Sequence, residues 1–194
     1  MTHYCPICKG PCNSYVHNDI NVLTGVKAVR KRPRMYLGKD ESGDILAARA
    51  LMHVIWFGVN RNFHTIRLYV GDTVRISLMG ITGKFEWKDL EELHAGVESG
   101  YDAILPVILA LSKKLVVRAN GTEKTYENGE FVIKENSKKS NCVDFVIDLD
   151  FELLCAEGID WKEILLGVSG VNEMAWELES GCCLLGTVLN EREE

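Results

Sequence analysis

The chain has 194 residues, an apolar content of 46% and a formal net charge of −6. That length predicts one domain with a hydrophobic core plus a small appendage. No apolar run reaches the roughly 20 residues of a membrane-spanning helix, and the N-terminus lacks a secretory signal pattern, so we expect a cytoplasmic protein without membrane contact. The net acidity argues against a general nucleic-acid binder, and the seven cysteines do not indicate a disulfide framework.

Residues 1–20 are rich in cysteine. They contain the spacing Cys-x2-Cys-x3-Cys-x4-His, formed by Cys5, Cys8, Cys12 and His17. Zinc prefers four tetrahedral nitrogen or sulfur ligands, and proline and glycine residues between the cysteines favour a turn that brings them together. The pattern predicts a zinc knuckle, in which His3 could replace His17 as the fourth ligand. A tail with reduced thiols and a redox Cys-x-x-Cys pair remain alternatives.

Residues 21–38 combine apolar and basic side chains. Helical spacing places Val26, Val29 and Arg30 on one face, and we expect Pro33 to end the helix and to be followed by an extended segment. The basic patch consists of Lys27, Arg30, Lys31, Arg32 and Arg34.

The string from Ala28 to Gly38 closely resembles the opening of the ATPase domain in type II topoisomerase B subunits, the DNA gyrase B-like branch of the GHKL superfamily. It differs only where Arg34 replaces Gly and Leu37 replaces Ile. The resemblance implies an α/β two-layer sandwich over residues 21–190, with a mixed sheet and helices on one face. In that family the domain binds ATP and magnesium, so the nucleotide motifs decide which activity to expect.

A long amphipathic helix is predicted from about residue 44 to residue 60, with Asp44 as its N-cap. In the family, the matching helix carries a Glu that activates the attacking water and, four residues later, an Asn that holds magnesium. Counted without gaps from the shared string, these positions fall on Met52 and Trp56. Other registers also supply neither a carboxylate nor an amide, and His53 on this apolar helix is more typical of a packed side chain than of a base.

A β-hairpin is predicted from two β-branched stretches, residues 65–70 and 73–78. The family continues the second strand into Asp-x-Gly, whose Asp bonds the adenine amino group. If Gly80 is the first family glycine, Leu78 stands where the Asp should be. An alkyl side chain cannot accept that hydrogen bond, so adenine recognition is expected to be lost.

The glycine-rich phosphate loop of the family is also replaced, because Glu98 and Asp102 fall within the matching stretch. A short helix is predicted at residues 85–94, and another is expected to begin near Ile104. Strands are then predicted at residues 115–119, 122–126, 130–134 and 142–149. Before the last of these, Asn141 and its neighbour Ser140 stand at the family's nucleotide-contacting Thr.

The C-terminal residues 159–179 show helical spacing interrupted by glycines and are predicted to form two short helices. Residues 182–189 are predicted to form a final buried strand.

Together these patterns predict a non-catalytic protein with a gyrase B-type fold that regulates or inhibits a protein partner, for which a type II topoisomerase subunit is the leading candidate. We expect neither ATP nor magnesium to bind. The degenerate pocket would contain Met52, Trp56, Leu78, Gly80 and Asn141. An ATP- or small-ligand-binding protein with a rebuilt pocket, and a zinc-assisted DNA-binding protein that uses the basic patch, remain alternatives.

Overall fold

The structure is a computed structural model that describes residues 4–5, 10–11, 25–39, 41–71, 73–80, 84–91, 105–137, 142–171, 174–179 and 183–188. Its helices are α1 (Gly25–Lys31), α2 (Pro33–Leu37), α3 (Gly43–Asn60), α4 (Trp87–Glu91), α5 (Leu105–Leu111), α6 (Phe151–Leu154) and α7 (Trp161–Ser169). Its strands are β1 (Tyr4–Cys5), β2 (Gly10–Pro11), β3 (Thr65–Val70), β4 (Val74–Met79), β5 (Ser112–Ala119), β6 (Thr122–Glu127), β7 (Glu130–Asn136), β8 (Cys142–Leu149), β9 (Met174–Glu179) and β10 (Cys183–Val188).

The centre of the molecule is an eight-stranded sheet in the order β7-β6-β5-β8-β4-β3-β10-β9. Every strand pairing described in it is antiparallel, so the expectation of a mixed sheet was wrong. Tight turns explain much of this pattern, because a two-residue turn returns the chain antiparallel to itself. Asn120-Gly121 and Asn128-Gly129 both have positive φ values and connect β5, β6 and β7 as the sequence predicted.

Side chains alternate across this sheet. In β8, Val143, Phe145 and Ile147 are buried, and the residues between them are only partly covered. Helix α3 is buried along most of its length and packs with α5 and α7 on the buried face of the sheet. The expected two-layer α/β sandwich with helices on one face is therefore confirmed.

The basic segment folds differently from the prediction. Pro33 does end α1, but it also begins α2, which replaces the expected extended segment. Proline suits the first position of a helix because its φ is already helical and its missing N–H would have had no partner there. The backbone N–H of Arg32 donates to the carbonyl oxygens of Ala28 and Val29, which closes α1 just before the proline.

The N-cap of α3 is Ser42, not Asp44, because the helix begins one residue earlier than predicted. The Ser42 hydroxyl accepts from the backbone N–H of Ile45 at 3.4 Å. The Asp44 carboxylate instead accepts the backbone N–H groups of Glu157 and Gly158, at 2.8 and 3.0 Å. Asp44 therefore fixes the loop before α7 rather than capping its own helix.

The C-terminal part contains one helix and one strand where two helices were predicted. Helix α7 ends at Ser169, and β9 follows as the edge strand paired with β10. Met174–Glu179 alternates as well as it follows a helical period, and pairing with β10 decides between the two. The Trp176 ring fits only because its neighbour Gly186 has no side chain. The final strand, Cys183–Val188, confirms the last sequence prediction.

Among the described helices, none has both the length and the apolar character needed to cross a membrane.

Candidate functional site

Met52 occupies the first of the two α3 positions that the resemblance assigned to catalysis. Its side chain is 2% exposed and points toward α7. A Cβ atom added at Gly167 would lie 2.7 Å from the Met52 methyl carbon, so the two helices meet at this contact. Met52 therefore serves as a core residue between α3 and α7.

Trp56, one helical turn later, is only partly buried and packs against the core. Its ring meets the His53 ring edge-on, with centroids 6.2 Å apart and an interplanar angle of 86°. Burial lowers the pKa of His53 to about 4, so this imidazole is neutral at pH 7. A base with such a low pKa binds protons weakly, which fits a packed histidine.

Leu78 was predicted to replace the family's adenine-binding Asp, and its side chain is fully buried at 0% exposure. It packs under α3 at Gly58. A Cβ atom at Gly58 would lie 2.7 Å from Cδ1 of Ile66 and 2.8 Å from Cδ2 of Leu78. The helix thus approaches the sheet closely, and side chains of β3 and β4 fill the space beneath it.

Gly80 follows β4 and packs against His64. A Cβ atom at Gly80 would lie 2.8 Å from both the backbone nitrogen and Nδ1 of His64, so a larger residue would displace this neighbour. Asn141, the last predicted pocket residue, lies outside the described residues. Met52 lies on the side of α3 that faces α7, whereas Leu78 of β4 packs against the side of α3 that faces the sheet.

The basic patch separates into internal and exposed side chains. Arg30 donates to the carbonyl oxygen of Ala110 at 2.7 Å and to Oδ2 of Asp150 at 2.9 Å, which ties α1 to α5 and to the start of α6. Arg34 donates to the backbone oxygens of Lys39 and Glu41 at 3.2 and 2.8 Å.

Arg34 is exposed despite these bonds, as are the other members of the patch, Lys27, Lys31 and Arg32.

The predicted zinc ligands are described only in part. Cys5 lies in β1, and its backbone pairs with that of Gly10 in β2. Cys8, Cys12 and His17 lie outside the described residues. Within the portion that the structure describes, no group of three His, Cys, Asp or Glu side chains could hold a metal ion.

A polar cluster that the sequence did not reveal lies on the opposite face of the sheet. Asp144 accepts from the Ser77 hydroxyl at 2.5 Å and from Arg75 at 3.1 Å, and the Cys142 thiol lies 3.5 Å from the same oxygen. Burial, followed by the nearby carboxylate, raises the pKa of Cys142 to about 11, so its thiol is protonated at neutral pH. The pairing of β4 with β8 brings these residues together, and their separation in sequence gives no local signal.

The solved topoisomerase IV ATP-binding domain of Francisella tularensis, in complex with a small-molecule inhibitor, matches this architecture with a TM-score of 0.53. The chain has the fold of a topoisomerase ATP-binding domain. The match covers 75% of this chain and 46% of that one, at 19% sequence identity. The fold expected from the resemblance of the 28–38 string to gyrase B is therefore confirmed.

A stretch of 66 residues is also 33% identical to the DNA gyrase B protein of Mycoplasmoides gallisepticum. This stretch is 34% of the present chain and 9% of the gyrase protein, so the chain matches only a small part of that protein. No protein-family model matches the chain.

Proposed function

We propose that this chain is a non-catalytic protein of the gyrase B-type fold that acts in the cytoplasm as a regulatory or inhibitory binding module. The observation that carries the proposal is the composition of α3. Between Ile45 and Val59 this helix contains no Asp, Glu, Asn or Gln. In the enzymes that the chain resembles, the matching helix supplies both the Glu that activates water and the Asn that holds magnesium, and no register within this span can supply either.

The burial of Met52 and Leu78 supports the same proposal. Both side chains belong to the hydrophobic core, so these two positions contribute to folding rather than to ligand contact. Leu78 also offers no acceptor for an adenine amino group. We therefore expect ATP and magnesium to be absent from the functional cycle of this protein.

A nucleotide titration tests the proposal directly. Thermal unfolding and calorimetry would be followed with ATP and with a non-hydrolysable analogue, each with and without magnesium, using a gyrase B ATPase domain as the positive control. A ligand at about 100 times its dissociation constant stabilises a fold by about 2.7 kcal/mol, which is several degrees for a domain of this size. We expect no shift. A magnesium-dependent shift would overturn the proposal and favour an ATP-binding protein with a rebuilt pocket.

We further propose a protein partner, with a type II topoisomerase subunit as the leading candidate. Support comes from the segment that most resembles those subunits, in which the Met35 side chain is 64% exposed beside exposed Lys31 and Arg32. An exposed apolar side chain flanked by cations can contribute to a protein interface.

The partner test is co-elution of the full chain with purified gyrase subunits on a sizing column, for the wild type, for Met35→Glu and for the distant control Leu166→Glu. We expect a complex that Met35→Glu weakens and Leu166→Glu does not. If no gyrase subunit co-elutes, a topoisomerase is not the partner.

Zinc binding by the N-terminal segment is a separate proposal. The antiparallel pairing of β1 with β2, in register Tyr4 with Pro11 and Cys5 with Gly10, supports it because such pairing requires the chain to reverse between two of the cysteines. Metal analysis of protein purified without chelator should give about one zinc per chain, and Cys8→Ser should lower that value. A value near zero for the wild type would end the proposal.

DNA binding remains the alternative supported by exposed Lys27, Lys31, Arg32 and Arg34. Arg30 is bound within the fold, which leaves a smaller cationic surface than the sequence indicated. Retention on DNA that falls steeply with added salt would favour this alternative over a protein partner.

A further inference from the structure

A groove of about 420 Å³ lies between the β6–β7 hairpin, α1 and α5. Val26 of α1 and Leu109 of α5 form apolar walls, and Phe131 of β7 contributes its ring. The groove shares no lining residue with the degenerate nucleotide positions Met52, Trp56, Leu78 and Gly80. Its volume falls within the range of small-molecule sites in proteins, roughly 300–1,000 Å³.

Two lysines face each other at this groove. Lys124 of β6 and Lys134 of β7 are direct cross-strand partners, and both line it. Like charges in this arrangement repel unless an anion lies between them or beside them. A β-sheet that keeps two cations opposite each other on one face therefore favours an anionic neighbour.

The carboxylate of Glu91 already forms an ion pair with Lys124. It accepts from the Lys124 ammonium at 2.6 Å and from the Tyr126 hydroxyl at 2.6 Å. Burial opposes ionisation of Glu91, but these two hydrogen bonds outweigh it and lower the pKa of the carboxyl group. Lys124 is also held 4.3 Å from the centroid of the Trp87 ring.

Lys134 differs from Lys124. Within the part of the chain that the structure describes, no carboxylate forms an ion pair with Lys134. Three residues earlier on the same strand, Phe131 is 57% exposed, although its ring meets Tyr126 with centroids 5.8 Å apart. An apolar ring and a cation that no described carboxylate pairs with thus lie side by side at one groove.

The geometry of β7 argues against another strand as the occupant. The register of β7 on β6 shifts by one residue, because Tyr126 pairs with Phe131 and Thr125 pairs with Ile133. Val132 is therefore the extra residue of a β-bulge. A bulge in an edge strand interrupts the regular row of backbone donors and acceptors that an added strand would need.

We propose that this groove binds a small amphipathic anion, with an aromatic or short acyl body and a carboxylate or sulfonate group. The apolar body lies against Phe131, Val26 and Leu109, and the anionic group lies at Lys134. The groove is large enough for such a ligand, its walls provide apolar contact, and Lys134, which no described carboxylate pairs with, favours a negative charge.

The first experiment uses two probes with the same ring system. 1-Anilinonaphthalene-8-sulfonate carries an anionic group, and N-phenyl-1-naphthylamine does not. Fluorescence titration of the full chain should show saturable binding of the sulfonate at one site per chain, at least tenfold tighter than that of the neutral amine. Added salt should weaken the binding of the sulfonate. Non-saturable binding, or equal affinity for the two probes, would overturn the proposal.

The second experiment uses matched charge reversals. Lys134→Glu should weaken sulfonate binding about tenfold, equivalent to about 1.4 kcal/mol, and should leave the neutral amine within about twofold. Lys162→Glu makes the same change in charge at an exposed position on α7 outside the groove and should leave both affinities unchanged. Equal losses in the two variants, or no loss in Lys134→Glu, would contradict the assignment.

Folding of Lys134→Glu is checked by its thermal midpoint. The new carboxylate faces Lys124 across the hairpin, so we expect the midpoint to be retained or raised. A third variant, Phe131→Ser, removes the ring and should weaken the binding of both probes. If the site recognises charge alone, this variant should bind both probes as tightly as the wild type does.

Discussion

His53 is the residue whose chemistry differs most from its behaviour in water. Its imidazole is buried in α3, and burial lowers its pKa to about 4, whereas an exposed histidine titrates near 6.5. The unfolded chain therefore binds a proton at this residue at a higher pH than the folded chain does. The contribution of His53 to the free energy of unfolding is therefore present in full above pH 6.5 and is lost as the pH decreases from 6.5 toward 4.

From this difference we predict that protonation of His53 lowers the free energy of unfolding by about 2 kcal/mol when the pH is changed from 7.5 to 5. Urea denaturation at the two pH values measures the cost in the wild type and in His53→Leu, which should lose this component. His64→Gln, at an exposed position, is the control and should keep the pH dependence of the wild type. An identical pH dependence in His53→Leu and the wild type would contradict the role of burial.

Arg30 is a structural residue within a segment that is basic in sequence. Replacing it with Ala removes a part-buried ion pair and leaves Asp150 and the carbonyl oxygen of Ala110 without this donor. We predict a loss of about 2–3 kcal/mol in urea denaturation for Arg30→Ala. Exposed Arg32→Ala should change stability by less than about 0.5 kcal/mol. Similar losses in both variants would mean that the segment contributes through its general charge.

At the level of elements, the contact of α3 with the sheet depends on Gly58. A Cβ atom there would lie within 2.8 Å of side chains from β3 and β4. We predict that Gly58→Ala destabilises the protein by about 1–3 kcal/mol, because crowding in the core outweighs the gain of about 1 kcal/mol in helix propensity.

The control for this prediction is Gly170→Ala. Gly170 has a negative φ, and a Cβ atom there would meet nothing within 4 Å. Its midpoint in thermal unfolding should therefore equal or exceed that of the wild type. A stabilised Gly58→Ala variant would show that α3 can move away from the sheet without cost.

Elements with strong local signals were predictable from sequence. Strands β3 and β8 match their predicted bounds, and both Asn-Gly turns lie where they were expected. The misses are elements whose pattern is ambiguous until partners are known. Met174–Glu179 became a strand through pairing with β10, and α6 depends on Asp150, whose side chain accepts from the backbone N–H of Leu153.

For the whole molecule, the fold followed from one short string, whereas the arrangement of the candidate sites did not. The resemblance predicts that Met52 and Leu78 replace polar family residues, but their separate contacts with α7 and with Gly58 could not be predicted without the packed structure. The groove at Lys134 depends on a cross-strand register, a bulge and two helices that are distant in sequence. Such a site has no local pattern from which it could be predicted.

The bonds of Arg30 also bear on the order in which the chain folds. They join residues that are 80 and 120 positions apart, so α1 cannot reach its final contacts until Asp150 is available. At a synthesis rate of about 5–20 residues per second, α1 waits on the order of 6–24 s for Asp150 to emerge from the ribosome. Although α1 is synthesised well before α6, it can therefore complete its docking only after Asp150 has emerged.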